Sequence, residues 1–217
     1  AGYFHKKNIN IKWIDAQKIN QANIKETLKD CQGILVPGGF GSRATEGKLA
    51  AITYARENNI PFFGICYGMQ LAVVEYARNV LNIKDATSTE IDKDTKNPVI
   101  SLQRGRETDE DLGGTLRLGL YTCEIKKDSK AYQAYGKKVI EERHRHRYEF
   151  NNKYLDKFEN SDMMISGFNS KHHLVEMIEL KDHKWFIATQ FHPEFLSRPL
   201  RPHPLFKDFI EATIKHN

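Results

Sequence analysis

Gly64-Ile65-Cys66-Tyr67-Gly68 sets a thiol between two glycines, directly after the apolar run Pro61-Phe62-Phe63 and before a stretch of helix formers. A side chain displayed on so tight a strand-to-helix turn crowds the adjacent backbone, and glycines two positions away on each side relieve that crowding. A helix beginning there turns its free N–H groups and positive dipole end toward the sulfur. A free cysteine titrates near about 8.5, and a downward shift of about two units, which a helix terminus plus one histidine can supply, leaves it mostly thiolate at neutral pH. Cys66 is therefore the candidate nucleophile. Most cysteines are small buried hydrophobes, so the assignment needs partners. They stand at Gln190-Phe191-His192-Pro193-Glu194, where a histidine and a carboxylate follow the apolar run Trp185-Phe186-Ile187-Ala188-Thr189 and can serve as base and orienting acid. Acyl transfer also needs donors for an oxyanion. Pro37-Gly38-Gly39-Phe40-Gly41 offers backbone N–H groups unobstructed by side chains, each such donor being typically worth about 2.7 to 4 kcal/mol. The same glycines suit a plain turn or a phosphate cradle, but no Lys-Ser/Thr pair follows them, which argues against a P-loop.

The elements that must position these groups read as an α/β fold. Ile9, Ile11 and Trp13 alternate with Asn10, Lys12 and Ile14, which predicts a first strand, and residues 21–30 carry helix formers. Ile34-Leu35-Val36 predicts a second strand that stops at the glycine-rich loop. Residues 45–58 place Leu49, Ile52 and Ala55 at helical spacing, residues 61–65 read as a buried strand, and residues 69–81 as a further helix. Repeated β-α-β of this kind predicts a mostly parallel central sheet flanked by helices. Beyond about residue 85 the charged stretches 92–97 and 108–111 predict loops. Residues 116–125, 163–168, 173–180 and 184–189 then read as additional antiparallel strands of the C-terminal half, before a C-terminal helix opening at Pro204-Leu205-Phe206. No internal repeat, low-complexity tract or Pro- or Ser-rich linker interrupts the chain, so residues 1–217 are expected to form one domain.

Composition narrows the function classes. A 217-residue chain that is 40% hydrophobic and 11% aromatic can bury one substantial core. Three cysteines, Cys31, Cys66 and Cys123, are an odd count without metal-ligand spacing, which points away from a disulfide framework or a zinc site and toward a reducing, cytoplasmic setting. No apolar stretch approaches the roughly 18 to 20 residues that span a bilayer, and the first residues lack a signal-peptide layout, so no membrane is expected. Lys+Arg of 33 against Asp+Glu of 28 gives +5, short of a nucleic-acid footprint. The densest basic run, Arg143-His144-Arg145-His146-Arg147, is entered through Val139-Ile140 and flanked by Glu141 and Glu142, which favours an ordinary structural role over a phosphate patch.

Taken together, Pro37-Gly38-Gly39-Phe40-Gly41, Gly64-Ile65-Cys66-Tyr67-Gly68-Met69-Gln70 and Phe191-His192-Pro193-Glu194 resemble the class I (triad) glutamine amidotransferases in order and spacing. Residues 43–48 and 71–80, Ser88-Thr89-Glu90, residues 143–149 and His203-Pro204-Leu205-Phe206 are similar to the glutaminase domains of the CTP synthase family, over nearly the whole chain. The resemblance implies that Cys66 attacks the side-chain amide of L-glutamine to form a thioester. His192 passes the proton to departing ammonia and then activates water, and Glu194 orients His192. It further implies that Gly39 lines the oxyanion site, that Tyr67, Gly68, Met69 and Gln70 surround the substrate, and that Glu90 and Arg147 hold its amino and carboxylate ends. Opposite charges suit the two ends of an amino acid.

The family also has an upstream amidoligase (synthetase) domain that binds ATP, UTP and magnesium, receives the ammonia through an internal channel, and assembles into a homo-oligomer (tetramer). The chain begins at Ala1 without an initiator methionine and has no Walker-type loop, so it is expected to be the C-terminal portion, with no cofactor or metal of its own. The family usually has Gly at Ala44, Asn at Thr87 and Phe at Ile91. Ala44 lies where the family forms a lid and takes part in activation by GTP, so that response is the property this departure touches. Other readings are a triad amidotransferase with a different acceptor, such as GMP or anthranilate synthesis, a hydrolase of γ-glutamyl substrates, and a noncatalytic domain that keeps the fold. The run Arg143 to Tyr148 argues against the first, and intact Cys66, His192 and Glu194 against the last.

Overall fold

The structure is a computed structural model that describes residues 1–102 and 116–216. The charged stretch 108–111 lies outside the described residues.

Apolar runs cut by glycine or proline become strands, and apolar residues spaced three and four apart become helices. In chain order the elements are α1 (Ile24–Leu28), β1 (Ile34–Val36), α2 (Thr45–Glu57), β2 (Phe62–Ile65), α3 (Tyr67–Asn79), β3 (Thr87–Ser88), β4 (Pro98–Leu102), β5 (Arg117–Ile125), α4 (Lys130–Tyr135), β6 (Val139–His146), β7 (Tyr148–Phe150), α5 (Leu155–Glu159), β8 (Met163–Asn169), β9 (Leu174–Leu180), β10 (Phe186–Thr189) and α6 (Pro204–Lys215). A seven-stranded sheet runs in the order β1-β2-β10-β9-β8-β5-β6, and a second sheet of three strands runs β3-β4-β7.

The last strand in sequence, β10, enters between β2 and β9, parallel to β2 and antiparallel to β9. The parallel part of the large sheet is thus β1, β2 and β10, and every pairing from β10 to β6 is antiparallel. The α/β class expected from the sequence holds: β1, β2 and β10 form the parallel part, and the antiparallel strands of the C-terminal half join the same sheet, which is therefore mixed. Two strands sharing one parallel edge end side by side, which is where α/β folds place their sites.

Side chains alternate across β2 and β10 and define two cores. Phe62 stacks on Phe186 at 4.4 Å on the face covered by α1, α2 and α3. Phe63 meets Trp185, Phe206 and Phe209 edge-on or tilted on the other face, covered by α4 and α6. Helix α3 packs on β1, β2 and β10 on one side and on β3, β4 and β7 on the other, which is why it is buried from Tyr67 through Ala77 instead of along one stripe.

One reading of the sequence is corrected. The strand expected over Ile9, Ile11 and Trp13 does not form: Ile11 and Trp13 are 67% and 87% exposed, and among the described residues no strand pairs with them. Alternation alone supplies no backbone partner, and an unpaired strand is not stable in water. The basic run, conversely, is strand β6. Ile140, Glu142, His144 and His146 turn inward while Arg143 and Arg145 face solvent, so its inner row is polar and hides the apolar signal of a strand.

Candidate active site

Cys66 occupies the single residue between β2 and α3, with φ 52° and ψ −102°, a left-handed backbone conformation that non-glycine residues rarely adopt. Its N–H donates to the Thr189 carbonyl at 2.6 Å, and its own carbonyl accepts from the N–H groups of Met69 and Gln70 at 3.0 and 3.1 Å. The flanking glycines are required by contact. A Cβ on Gly68 would stand 2.1 Å from the Val36 carbonyl oxygen, and one on Gly64 would stand 2.9 Å from both Ala188 Cβ and the Gly68 carbonyl. The strain at Cys66, of the order of 1 to 3 kcal/mol for such a residue, is held by this packing.

Just past β10, His192 starts the 3₁₀ turn Pro193–Phe195. Its N–H donates to the Arg143 carbonyl of β6 at 2.8 Å, its ring stacks on Phe195 at 4.8 Å, and its Nδ1 lies 2.6 Å from Glu194 Oε1. A carboxylate only accepts, so Nδ1 carries the hydrogen and Nε2 presents a lone pair. Nε2 is buried and has no hydrogen-bond partner among the described residues. Gly38 is the spacer between the two groups: a Cβ there would lie 2.9 Å from His192 Cε1 and 3.8 Å from Cys66 Cβ. Cys66, His192 and Glu194 therefore meet at the ends of the adjacent parallel strands β2 and β10.

The thiol departs from the sequence expectation. Burial pushes Cys66 up to about 12, and the charges of Glu194, Glu149 and Glu90 push the same way, against a hydrogen bond from the Tyr67 N–H that lowers it. The helix terminus is present, as expected, but desolvation outweighs it, so the resting group is a thiol and not a thiolate.

The other expected residues fall into two groups. Gly39 lies against the Tyr67 ring, with Lys48 Nζ 4.9 Å from that ring's centre, and the Tyr67 hydroxyl donates to the Gly41 carbonyl, tying the glycine loop to α3. The Gly41 N–H donates to Glu90 Oε1 at 2.8 Å. Burial raises the Glu90 carboxyl, while this bond and the positive charge of Arg147 lower it. In contrast, Met69 has its side chain in the core, Gly68 is wedged on Val36, and the Gln70 amide points to the Tyr148 carbonyl at 3.0 Å and Gln190 Oε1 at 3.3 Å.

Behind the site lies a buried polar network that the sequence reading missed. Arg117 binds Glu176 through both terminal nitrogens and rests 4.4 Å over Tyr121, and its Nη1 is 3.6 Å from Glu149. His144 Nδ1 pairs with His146 Nε2 at 2.9 Å, and His146 Nδ1 with the Tyr148 carbonyl at 3.1 Å. Burial, then the charges of Arg117, His146 and His192, hold His144 far below the usual imidazole range, and hence neutral. The alternation of Arg and His in residues 143–147 was the signal: charged and neutral-capable side chains on opposite faces of a strand. Among the described residues no group of three or more His, Cys, Asp or Glu is placed to hold a metal ion, and no helix is long and apolar enough to cross a membrane.

Residues 2–212 match the family model for glutamine amidotransferase class-I. A CTP synthase of Phytoplasma australiense is 59% identical over 218 aligned residues, covering 100% of this chain and 39% of the relative. A CTP synthase of Staphylococcus aureus is 59% identical over 216 residues, covering 40% of the relative, so the chain spans about two fifths of the length of these curated proteins. Among solved structures, the Trypanosoma brucei CTPS glutaminase domain with bound acivicin superposes with a TM-score of 0.92 at 36% identity, over 100% of this chain and 84% of that one. The fold, the strand-end placement of the thiol and imidazole, and these matches agree: the chain belongs to the class I glutamine amidotransferases.

Proposed function

We propose that this chain is the glutaminase part of a CTP-forming enzyme, hydrolysing L-glutamine to glutamate and ammonia. The observation that carries the reading is a thiol on a strained strand-to-helix turn beside an imidazole whose Nδ1 is held by a carboxylate and whose Nε2 is open. The Cys66 S–H proton passes to His192 Nε2 as sulfur bonds the γ-carbonyl carbon. The C–N bond then breaks with the proton delivered to nitrogen, releasing ammonia and leaving a thioester. Water, deprotonated by His192, attacks the thioester, and glutamate leaves as the proton returns to sulfur. Glu194 holds His192 in one tautomer throughout, backbone N–H groups of the loop at Gly38 and Gly39 face the developing oxyanion, and Glu90 and Arg147 take the amino and carboxylate ends.

The likeness to CTP synthases supports a partner region that uses the ammonia to convert UTP to CTP with ATP and magnesium, in a cytoplasmic homo-oligomer, with GTP as activator. Ala44 has φ 59°, a left-handed conformation suited to the glycine usual in the family, so the residue entering α2 is held under strain. Incubation with a glutamine-mimicking electrophile and peptide mapping tests the core of the reading: the label is expected on Cys66, and a label on Cys31 or Cys123 instead overturns it.

A further inference from the structure

Gln190 bridges β10 and His192, and its side chain is fully buried although polar. Its Nε2 stands 3.8 Å from Cys66 Sγ, within reach of an N–H···S hydrogen bond. A chain of partners decides which end of the amide faces the sulfur. The Tyr148 carbonyl only accepts, so the end of Gln70 that meets it is the amino group Nε2. That amino group also meets Gln190, where a second amino group would repel it, so Gln190 turns Oε1 there and is left with Nε2 toward the sulfur. Gln70 is buried as well, and the arrangement is shielded from water.

The charged and titratable groups around Cys66 are otherwise adverse to an anion. Glu194 follows β10, Glu149 sits on β7 and Glu90 follows β3, all three acidic. His192 stands across Gly38, and Tyr67 is the next residue along the chain. Gln190 is a neutral side chain with an N–H on the sulfur.

We propose that Gln190 is a further catalytic residue, whose Nε2–H holds the Cys66 sulfur as its proton leaves for His192 and the electron pair stays behind, with Gln70 locking the amide in the donating orientation. The inference rests on Cys66 being the nucleophile proposed above.

Alkylation reads this directly, since the thiolate is the reacting form. The test measures the rates of Cys66 labelling by iodoacetamide and by the bulkier N-ethylmaleimide near neutral pH, in the unsubstituted protein and in Gln190→Met and Gln190→Glu. Loss of a hydrogen bond to a charged group is expected to lower both rates about tenfold in Gln190→Met. Gln190→Glu, which keeps the shape of the side chain and turns an acceptor to the sulfur, is expected to lower them further, so the answer does not depend on the Met variant folding. Unchanged rates, or a fall that differs between the small and the bulky reagent and so reports access, overturn the role of Gln190 while leaving the nucleophile standing. Labelling of Cys31 or Cys123 in place of Cys66 in the unsubstituted protein overturns the underlying reading instead.

Discussion

His192 lies 2.6 Å from Glu194, and His203 lies 2.8 Å from Glu142. The two imidazole–carboxylate pairs are nearly equal in length and differ in what the second ring nitrogen does. Nδ1 of His203 accepts the Leu205 N–H and caps α6, and Glu142 takes a further hydrogen bond from the Tyr135 hydroxyl at 2.7 Å. Both ring nitrogens are thus engaged, Nε2 as donor and Nδ1 as acceptor, and both side chains are only 3% exposed. In the first pair Nε2 bonds nothing among the described residues, and the Glu194 side chain is 42% exposed. A short His–Glu contact therefore marks a base only when the remaining nitrogen is open and faces a reactant.

The largest expected effect separates the pairs by function. His192→Ala should lower kcat for ammonia release by about 10⁴-fold or more with little change in Tm, because the ring's partners, Phe195 and the half-exposed Glu194, lie at the surface. His203→Ala should do the reverse. Removing the partner of a buried carboxylate and a helix cap lowers stability by about 3 kcal/mol, while activity of the folded protein stays close to the starting value. Calorimetry and a coupled ammonia assay read both. Equal losses of activity in the two variants would break the comparison.

Glu194→Gln sharpens it further. The orienting bond is half exposed, so kcat is expected to fall on the order of 10²-fold, less than for His192→Ala, with KM unchanged. An effect confined to KM would place Glu194 in substrate binding instead. The smallest effect concerns alkaline pH. The Cys66 thiol is raised from 9.0 to about 12 in the fold, so between these values the unfolded chain loses a proton that the native state keeps, and stability falls as pH rises. Cys66→Ala should remove at most about 1.4 kcal/mol per pH unit from that slope. A steeper slope in the variant contradicts the buried, protonated thiol.

How much of this was legible depended on which contacts were local. The turn at Gly64 to Gly68 and the run His192 to Glu194 were readable because glycine spacing and strand ends act within a few residues. Strand β6 was not, since its inward row is polar, and the groups that let Glu142 and His144 sit inside, His203 and Glu176, come from far away in sequence. The false first strand shows the converse error: Ile9, Ile11 and Trp13 have the right period and nothing to pair with. The direction of the Cys66 shift was misread for the same reason. A helix terminus is visible in the sequence next to Cys66, but the burial and the carboxylates of Glu90, Glu149 and Glu194 are assembled by the whole fold.

The insertion of β10 between β2 and β9 has a consequence for biosynthesis. Cys66 is hung on the Thr189 carbonyl, and its base and Gln190 follow directly after, so the strand that completes the nucleophile's seat emerges from the ribosome well over a hundred residues after the nucleophile. A growing chain that has made the turn at Cys66 carries an ordinary thiol without a proton acceptor. On the proposed function, catalysis waits for the late strand to thread into the middle of the sheet, a slow, non-local step, and a chain that still lacks it is not expected to hydrolyse glutamine.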